Sequence, residues 1–302
     1  MIKGLIITAA FMLTSAATVS ASALPAGDDD GVPRPGPTGL SVFANAGAIW
    51  ADGVNANFYS GRPENANTIN RVLHSNSYGT QIWNDLRNDG LISSAIGSYN
   101  ELQVVEYPEM YYRTSYNLGL GLRYDYASGF GWLLRFDMWR LEAIGAFNLS
   151  SNNGSGILSG NHQYIRCGML GQEDRISIDL AITRTVDLGS GLCLEVDLGA
   201  SFNNTKVKEN LMEINGHTYS ILDVWNGSTP DVGAGSYDYV NQGGIGFGVF
   251  MSGYLGYRIT GVGAIKAGYT CHHSQANLKG YDAWGWTHCL NIRFEINNFS
   301  FF

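Results

Sequence analysis

The chain has 302 residues, of which 15% are charged, well below the roughly 25% of ordinary soluble proteins. Its formal net charge of -8 argues against a nucleic-acid-binding surface. Its mean hydropathy of -0.06 argues against a bundle of membrane helices. Beyond the N-terminus no run of about 18 apolar residues occurs, so the sequence predicts no transmembrane helix.

The N-terminus has the parts of a secretory signal. Lys3 precedes an apolar run over residues 4–13, and small residues then continue to Ala23. We therefore expect a signal peptide over 1–23, cleaved after Ala23, and export of the mature chain. Residues 24–37 are acidic and rich in Pro and Gly, which predicts a flexible leader.

Apolar and polar residues then alternate with a period of two in eight segments, as in β-strands with one apolar face. In the third segment the apolar residues change from even positions up to Met138 to odd positions from Leu141, which predicts a bulge near Arg140. The eight predicted strands cover about residues 39–52, 110–126, 132–147, 176–183, 192–202, 247–258, 265–271 and 284–296.

The connections alternate between short turns and long loops. The predicted turns are 128–131, 187–191 and 260–263, and the predicted loops are 53–109, 148–174, 203–243 and 273–283. Apolar residues recur at helical spacing in the first loop, which predicts two short amphipathic helices there. A loop of that length without structure of its own would be unusual in a compact domain.

Two kinds of barrel fit this pattern. A soluble barrel of the lipocalin kind turns its apolar face inward, whereas a membrane barrel turns it toward lipid. The strand lengths suit a bilayer crossing, which takes roughly 9–11 residues, and Tyr and Trp mark the ends of the apolar faces as interfacial girdles do. The charged face also carries many glycines, as the crowded interior of an eight-stranded barrel requires.

In this architecture the chain resembles small bacterial outer-membrane β-barrel proteins of the OmpA/OmpX-like eight-stranded class. The resemblance covers about residues 38–302 as a pattern, and its local signature is the aromatic C-terminal strand WTHCLNIRFEINNFSFF. It implies an all-β fold: an eight-stranded antiparallel transmembrane β-barrel with a long, partly helical first extracellular loop. It also implies a place in the outer-membrane lipid of a Gram-negative cell, with both termini and the short turns periplasmic.

Twelve charged residues point to the predicted inner face. Side chains just fill an eight-stranded barrel, and charges buried there must pair. We therefore expect a salt-bridged, plugged lumen rather than a conducting pore. The basic members are Arg113, Arg123, Arg135, Arg258, Lys266 and Arg293, and the acidic members are Asp125, Asp137, Asp179, Glu195, Asp197 and Glu295.

The segment CHHS at 271–274 is the most suggestive for chemistry, since Cys and His ligate transition metals and His with Ser can form part of a hydrolase site. Adjacent strand residues point to opposite faces, so His272 and His273 cannot converge without a bend. We expect no catalytic residue, metal or cofactor. Four cysteines, Cys167, Cys193, Cys271 and Cys289, match no zinc or haem spacing, and the sequence does not choose among their pairings.

Function is expected to lie in the loops. The first interpretation is a non-enzymatic barrel whose extracellular loops mediate interaction with, or assembly of, other envelope components, such as another outer-membrane or surface protein. The alternatives are an outer-membrane enzyme acting on lipid or peptide at the rim, and a narrow channel. The first loop is the candidate partner-facing or lid-forming element, or it packs over the barrel mouth; its candidate residues are Phe58, Tyr59, Ile82, Trp83 and Leu86.

Overall fold

The structure is a computed structural model that describes residues 39–76, 78–92, 101–151, 164–222, 242–259 and 262–297. The expected signal peptide (1–23) and leader (24–37) lie outside the described residues. None of the helices in these ranges is long and apolar enough to cross a membrane.

Eleven strands are present in the described ranges, and eight of them close into a ring of antiparallel pairs. They are β1 (Gly39–Ala51), β2 (Leu102–Glu106), β3 (Tyr111–Tyr112), β4 (Ser115–Asp125), β5 (Phe130–Ser151), β6 (Ile165–Gly189), β7 (Leu192–Ile214), β8 (His217–Ser220), β9 (Ile245–Ile259), β10 (Gly263–Leu278) and β11 (Tyr281–Asn297). The ring runs β1-β4-β5-β6-β7-β9-β10-β11 and closes where β11 pairs with β1. This confirms the predicted eight-stranded all-β barrel. The short strands β2 and β3 pair with β5, and β8 pairs with β7.

The two ends of the barrel differ. At one end, which we call the short-turn end, tight turns join β4 to β5 and β6 to β7; Gly129 (φ 77°) and Gly189 (φ 84°) supply the left-handed backbone that these turns need. The chain enters β1 and leaves β11 at this same end, because Ser41 lies opposite Asn297. The other end, the loop end, carries the first long connection.

The first connection folds over the loop end in short helices and turns, including two helices where the sequence predicts them. It contains α1 (Gly53–Ala56), a 3-10 turn (Asn57–Ser60), α2 (Ile69–Leu73) and α3 (Tyr78–Asn88). Side-chain oxygens of Asp52, Thr68 and Ser75 accept hydrogen bonds from the first turns of α1, α2 and α3, respectively. We call residues 52–92 the cap, without residue 77, which is not described.

The ring strands are longer than the sequence predicts, and the loops are correspondingly shorter. Within the predicted loop 148–174, β5 continues to Ser151 and β6 begins at Ile165. Within 203–243, β7 continues to Ile214 and turns back into β8. The predicted loop 273–283 is a hairpin of β10 and β11 with Leu278 opposite Tyr281. The extensions were missed because their outward faces are polar.

The predicted bulge near Arg140 is wrong. Strand β5 pairs with β6 without a register shift, and Arg140 lies opposite Asp174. Odd positions of β5 point inward along its whole length, so Leu141 is buried in the interior while Met138 faces outward. The apolar side changes because the surroundings change: below this level the outside is apolar, and above it the inside is filled by apolar residues of the cap.

The strand predicted over 110–126 is interrupted. Strand β3 ends at Tyr112 and β4 begins at Ser115, and the register against β5 shifts by one residue between them. Tyr112 is therefore buried in the interior and Arg113 is exposed, the reverse of the predicted faces. A one-residue shift exchanges the two faces of a strand.

Candidate functional site: the filled and capped barrel interior

A continuous apolar band surrounds the outside of the ring. Leu120, for example, is 63% exposed and Trp132 is 56% exposed, although each lies in a strand that is paired on both sides. Exposure on this scale is unfavourable in water and favourable in hydrocarbon. The ring is an eight-stranded β-barrel with the apolar outer face of a membrane-spanning barrel.

Inside this band, at the short-turn end, one carboxylate holds three basic side chains. Glu195 pairs with Arg123, with Lys266 at 2.5 Å and with Arg293 at 2.5 Å. Lys266 also lies 2.5 Å from Glu295. All five side chains are buried, and each lies beside a partner of opposite charge.

A second layer lies further toward the loop end. Arg135 pairs with Asp137 and Asp179, each at 2.6 Å. Asn45 donates a 2.8 Å hydrogen bond to Asp137, and the Nε2 atom of His272 lies 3.1 Å from Asp179. Interior glycines leave room for these groups: a Cβ on Gly119 would overlap both the Asp137 and the Asn45 side chains.

Ten of the twelve predicted network residues are buried in the interior, and two are not. Arg113 is exposed and pairs at 2.5 Å with Glu142 on the outside. Arg258 lies at the short-turn rim, where it pairs with the exposed Asp187 at 2.6 Å. The buried basic members are Arg123, Arg135, Lys266 and Arg293, and the buried acidic members are Asp125, Asp137, Asp179, Glu195, Asp197 and Glu295.

The sequence reasoning missed a third layer, which lies directly under the cap. Glu173 accepts hydrogen bonds from Tyr59 (2.7 Å) and Tyr112 (3.0 Å) and pairs with Arg175 at 2.6 Å. Burial, and then the charge of Glu173, raise the pKa of Tyr59 well above its ordinary value. Glu173 lies in the predicted loop 148–174 and Arg175 directly after it, although both share the inward parity of Asp179.

The addition of Glu173 and Arg175 and the loss of Arg113 and Arg258 change the expected charge balance. Among the described buried residues, seven carboxylates face five Lys and Arg side chains, instead of six facing six. His272 is the one further titratable base in contact with the described interior carboxylates, through Asp179.

The five candidate residues of the first loop do not face outward. Phe58, Tyr59 and Ile82 are fully buried, and Trp83 (5% exposed) and Leu86 (1%) nearly so. They pack against inward-facing apolar side chains of the ring extensions, in one cluster that includes Leu141, Phe147, Leu149, Met169, Met212 and Ile214. The partner-facing interpretation of these five residues is therefore wrong, because the hydrophobic effect favours their packing over the mouth.

Polar contacts hold the cap on several sides of the rim. Tyr219 of β8 donates a 2.7 Å hydrogen bond to Asp85 of α3. Asn67 and Gln242 exchange two amide hydrogen bonds of 2.7 and 2.9 Å. On the β11 side, Asp52 accepts a 2.8 Å hydrogen bond from the Trp286 backbone.

No family model and no curated protein matches the chain. Among solved structures, the chain is similar to Neisserial surface protein A (10% identity, 87% of this chain and 99% of that chain covered, TM-score 0.42). It is also similar to OprG from Pseudomonas aeruginosa (7%, 88% and 100%, TM-score 0.35). A third is Ail of Yersinia pestis in complex with the heparin analogue sucrose octasulfate (10%, 85% and 99%, TM-score 0.29).

The CHHS segment does not form a site. His272 and Ser274 are buried on the inner face, whereas Cys271 and His273 belong to the outer face. No group of three or more His, Cys, Asp or Glu side chains suited to a metal ion occurs in the described ranges. All four cysteines are buried and free.

The outer face of the ring extensions is charged, in contrast to the band below it. Asp174 pairs with Arg140 at 2.7 Å and with Lys208 at 3.3 Å. The hydrogen bonds from Arg140 and Lys208 lower the pKa of Asp174. We call the outward face of β5, β6 and β7 beyond Met138 and Ile176 the charged wall.

Proposed function

We propose that this protein is a non-enzymatic, non-conducting barrel whose loop-end structure binds another component of the cell envelope. The observation that carries the proposal is the filled interior: ion pairs occupy the lumen within the apolar band, and the cap packs over the mouth. An interior filled in this way leaves the loop end as the surface on which a partner can act.

The charged wall is the surface best suited to such a partner. Arg140, Asp174 and Lys208 are partly exposed there, and so is Arg113 beside Glu142. Exposed ion pairs of this kind contribute only about 0–1 kcal/mol to stability. Their charges are better explained by complementary recognition of another surface or outer-membrane protein, in which rim charges set specificity and association rate.

A native pull-down of the full chain in mild detergent tests this proposal. The wild type should recover a membrane protein in a fixed ratio, and the double variant R140Q/K208Q should lose it. The matched control R258Q removes a partly exposed charge at the short-turn end and should retain the partner. Recovery of clean monomer from the wild type, or equal recovery from all three proteins, would refute binding through the charged wall.

Conductance is measured on the same preparations. The wild type in a planar bilayer should show no discrete openings, because buried ion pairs fill the lumen. Reproducible openings would refute the non-conducting part of the proposal and favour the channel.

The enzyme alternative receives no support from the geometry of CHHS, since His272 and His273 face opposite sides of the wall.

A further inference from the structure

An open depression of 720 Å³ lies in the outward surface of β7, β9, β10, β11 and β1. Small residues form its floor, namely Ala46, Ala48, Gly253 and Ala267. A Cβ on Gly253 would meet no atom within 4 Å, so the space above this glycine is free.

Two larger apolar side chains of β11 stand within this depression, between the alanines of β1 and the residues of β10. Leu290 lies opposite both Ala48 and Tyr269, and Ile292 lies opposite both Ala46 and Ala267. A second depression of 340 Å³ shares Ala46 and continues toward Leu118 and Phe294. The apolar band is therefore not smooth: along the alanines of β1 it forms a groove, which we call the alanine groove.

At its loop end the alanine groove meets a row of aromatic and imidazole rings. The Tyr269 hydroxyl lies 2.5 Å from Nδ1 of His288, and Trp50 stacks on His288 with centroids 6.1 Å apart. Trp286 continues the row, at 6.4 Å from His288 and 4.3 Å from His273. We call these five residues the ring row.

The ring row offers hydrogen-bond donors at the boundary of the apolar band. The indole N–H of a tryptophan is a hydrogen-bond donor only. When the Tyr269 hydroxyl donates to Nδ1 of His288, the imidazole proton is on Nε2, which can then donate to a ligand. Trp, Tyr and His with an apolar body and a polar tip are typical of the level where hydrocarbon meets headgroups.

We propose that the alanine groove and the ring row together bind one membrane lipid. An acyl chain lies against Leu290 and Ile292, over the small residues Ala46 and Ala267 that flank Ile292. The ester and phosphate oxygens accept hydrogen bonds from Trp286 and His288. A lipid fits better than a second copy of the chain. The outside of a barrel is convex, so a second barrel does not reach the small residues on either side of Ile292, whereas a single flexible chain does.

Native mass spectrometry of the full chain, with palmitoyl-oleoyl-phosphatidylethanolamine as the probe, tests this site. The wild type should hold one lipid more tightly than A46L/A267L, in which two leucines fill the floor. Each leucine displaces methylene contacts, so binding should weaken about tenfold or more. The matched control A200L adds the same side chain at an outward alanine of β7 that does not line the groove, and it should bind like the wild type.

The headgroup end has its own variant. H288F keeps a stacked ring but removes the donor, and it should weaken binding of the same probe about fivefold. Each variant is first checked for the heat-sensitive gel migration of a folded barrel, and the single variants A46L and A267L replace the double one if it fails.

Several results would overturn the proposal. One is equal lipid retention by the wild type, A46L/A267L and A200L, which would mean that lipid binds non-specifically anywhere on the apolar outer surface. Another is a wild-type dimer that A46L/A267L dissociates while lipid retention stays the same, which would make a second copy the occupant. Unchanged binding by H288F would show that the ring row does not bind the headgroup.

Discussion

The hydroxyl of Tyr59 donates a 2.7 Å hydrogen bond to Glu173. This bond joins the cap to the inner face of β6, and both side chains are fully buried. A Cβ on Gly171 would overlap the Tyr59 ring, so this glycine makes the approach possible. Because burial keeps the pKa of Tyr59 well above its ordinary value, the hydroxyl remains a donor throughout the physiological pH range. The cap is thus fixed by a specific polar contact as well as by apolar packing.

Y59F should loosen the cap. It leaves one oxygen of the buried Glu173 without its hydrogen bond, at a cost of about 1–3 kcal/mol. The expected result is faster hydrogen exchange in α3 and greater quenching of the buried Trp83 by acrylamide, with the barrel still folded.

Y281F is the matched control for this prediction. It removes a 2.6 Å hydrogen bond from Tyr281 to the Val54 carbonyl, which lies in an exposed part of the rim. Water replaces that bond, so its effect on exchange in α3 should be small. Equal effects of Y59F and Y281F would show that the contact with Glu173 does not fix the cap.

R293M should strongly destabilise the barrel. Arg293 pairs with Glu195 at 2.5 Å, and its guanidinium carbon lies 3.9 Å from the centre of the Tyr254 ring. Removal of one partner from a buried ion pair typically costs about 3–5 kcal/mol, which should appear as a lower midpoint of guanidinium unfolding in detergent.

R258Q tests whether burial is the cause. The Arg258–Asp187 pair lies at the rim with side chains 22% and 59% exposed, and pairs in contact with solvent contribute about 0–1 kcal/mol. A similar loss of stability in R258Q and R293M would contradict the assignment of stability to the buried network.

The barrel could be predicted from sequence because a period of two survives wherever one face meets lipid. At the level of Leu120 and Trp132 the outer face is apolar and the inner face is polar. The alternation there shows that the segment is a strand, which of its faces points outward, and that this face meets lipid. Beyond the band the same alternation continues with the opposite meaning: Leu141 points inward and Arg140 outward. Sequence alone cannot distinguish this inversion from a bulge, because both move the apolar residues from even-numbered to odd-numbered positions.

The interior site was predictable only in part for the same reason. Arg135 and Asp179 lie within the band, where parity gives their face correctly. The sequence predicts the wrong face for Arg113, because no glycine or proline at 113–114 indicates that the strand is interrupted there. The role of Tyr59 depends on the way the cap folds back to Glu173, a contact between residues far apart in the chain.

L120R should block membrane assembly. Leu120 is at the centre of the outward face of β4, and an arginine near the bilayer midplane costs about 2–4 kcal/mol in a membrane barrel. Assembly is measured as the folded fraction after dilution from urea into lipid vesicles. Q172R, on the outer face of β6 in the charged wall, should assemble normally; equal failure of Q172R would contradict the proposed limit of the band.

Acidification should weaken the contact between α3 and the β7–β8 turn. Asn215 donates a 2.7 Å hydrogen bond to Asp89, and His217 lies 3.1 Å from the same oxygen. The hydrogen bond from Asn215, and then that from His217, lower the pKa of Asp89 below its ordinary value of 3.8. A carboxylate with a lowered pKa stabilises the folded state fully above its unfolded pKa, and this stabilisation is lost as the pH falls through the lowered value. An NMR titration of the Asp89 carboxyl should therefore have its midpoint below 3.8, the backbone amide signal of His217 should shift in the same step, and N215A should raise the midpoint toward 3.8. An unchanged midpoint in N215A would show that the hydrogen bond from Asn215 does not hold Asp89 in its charged form.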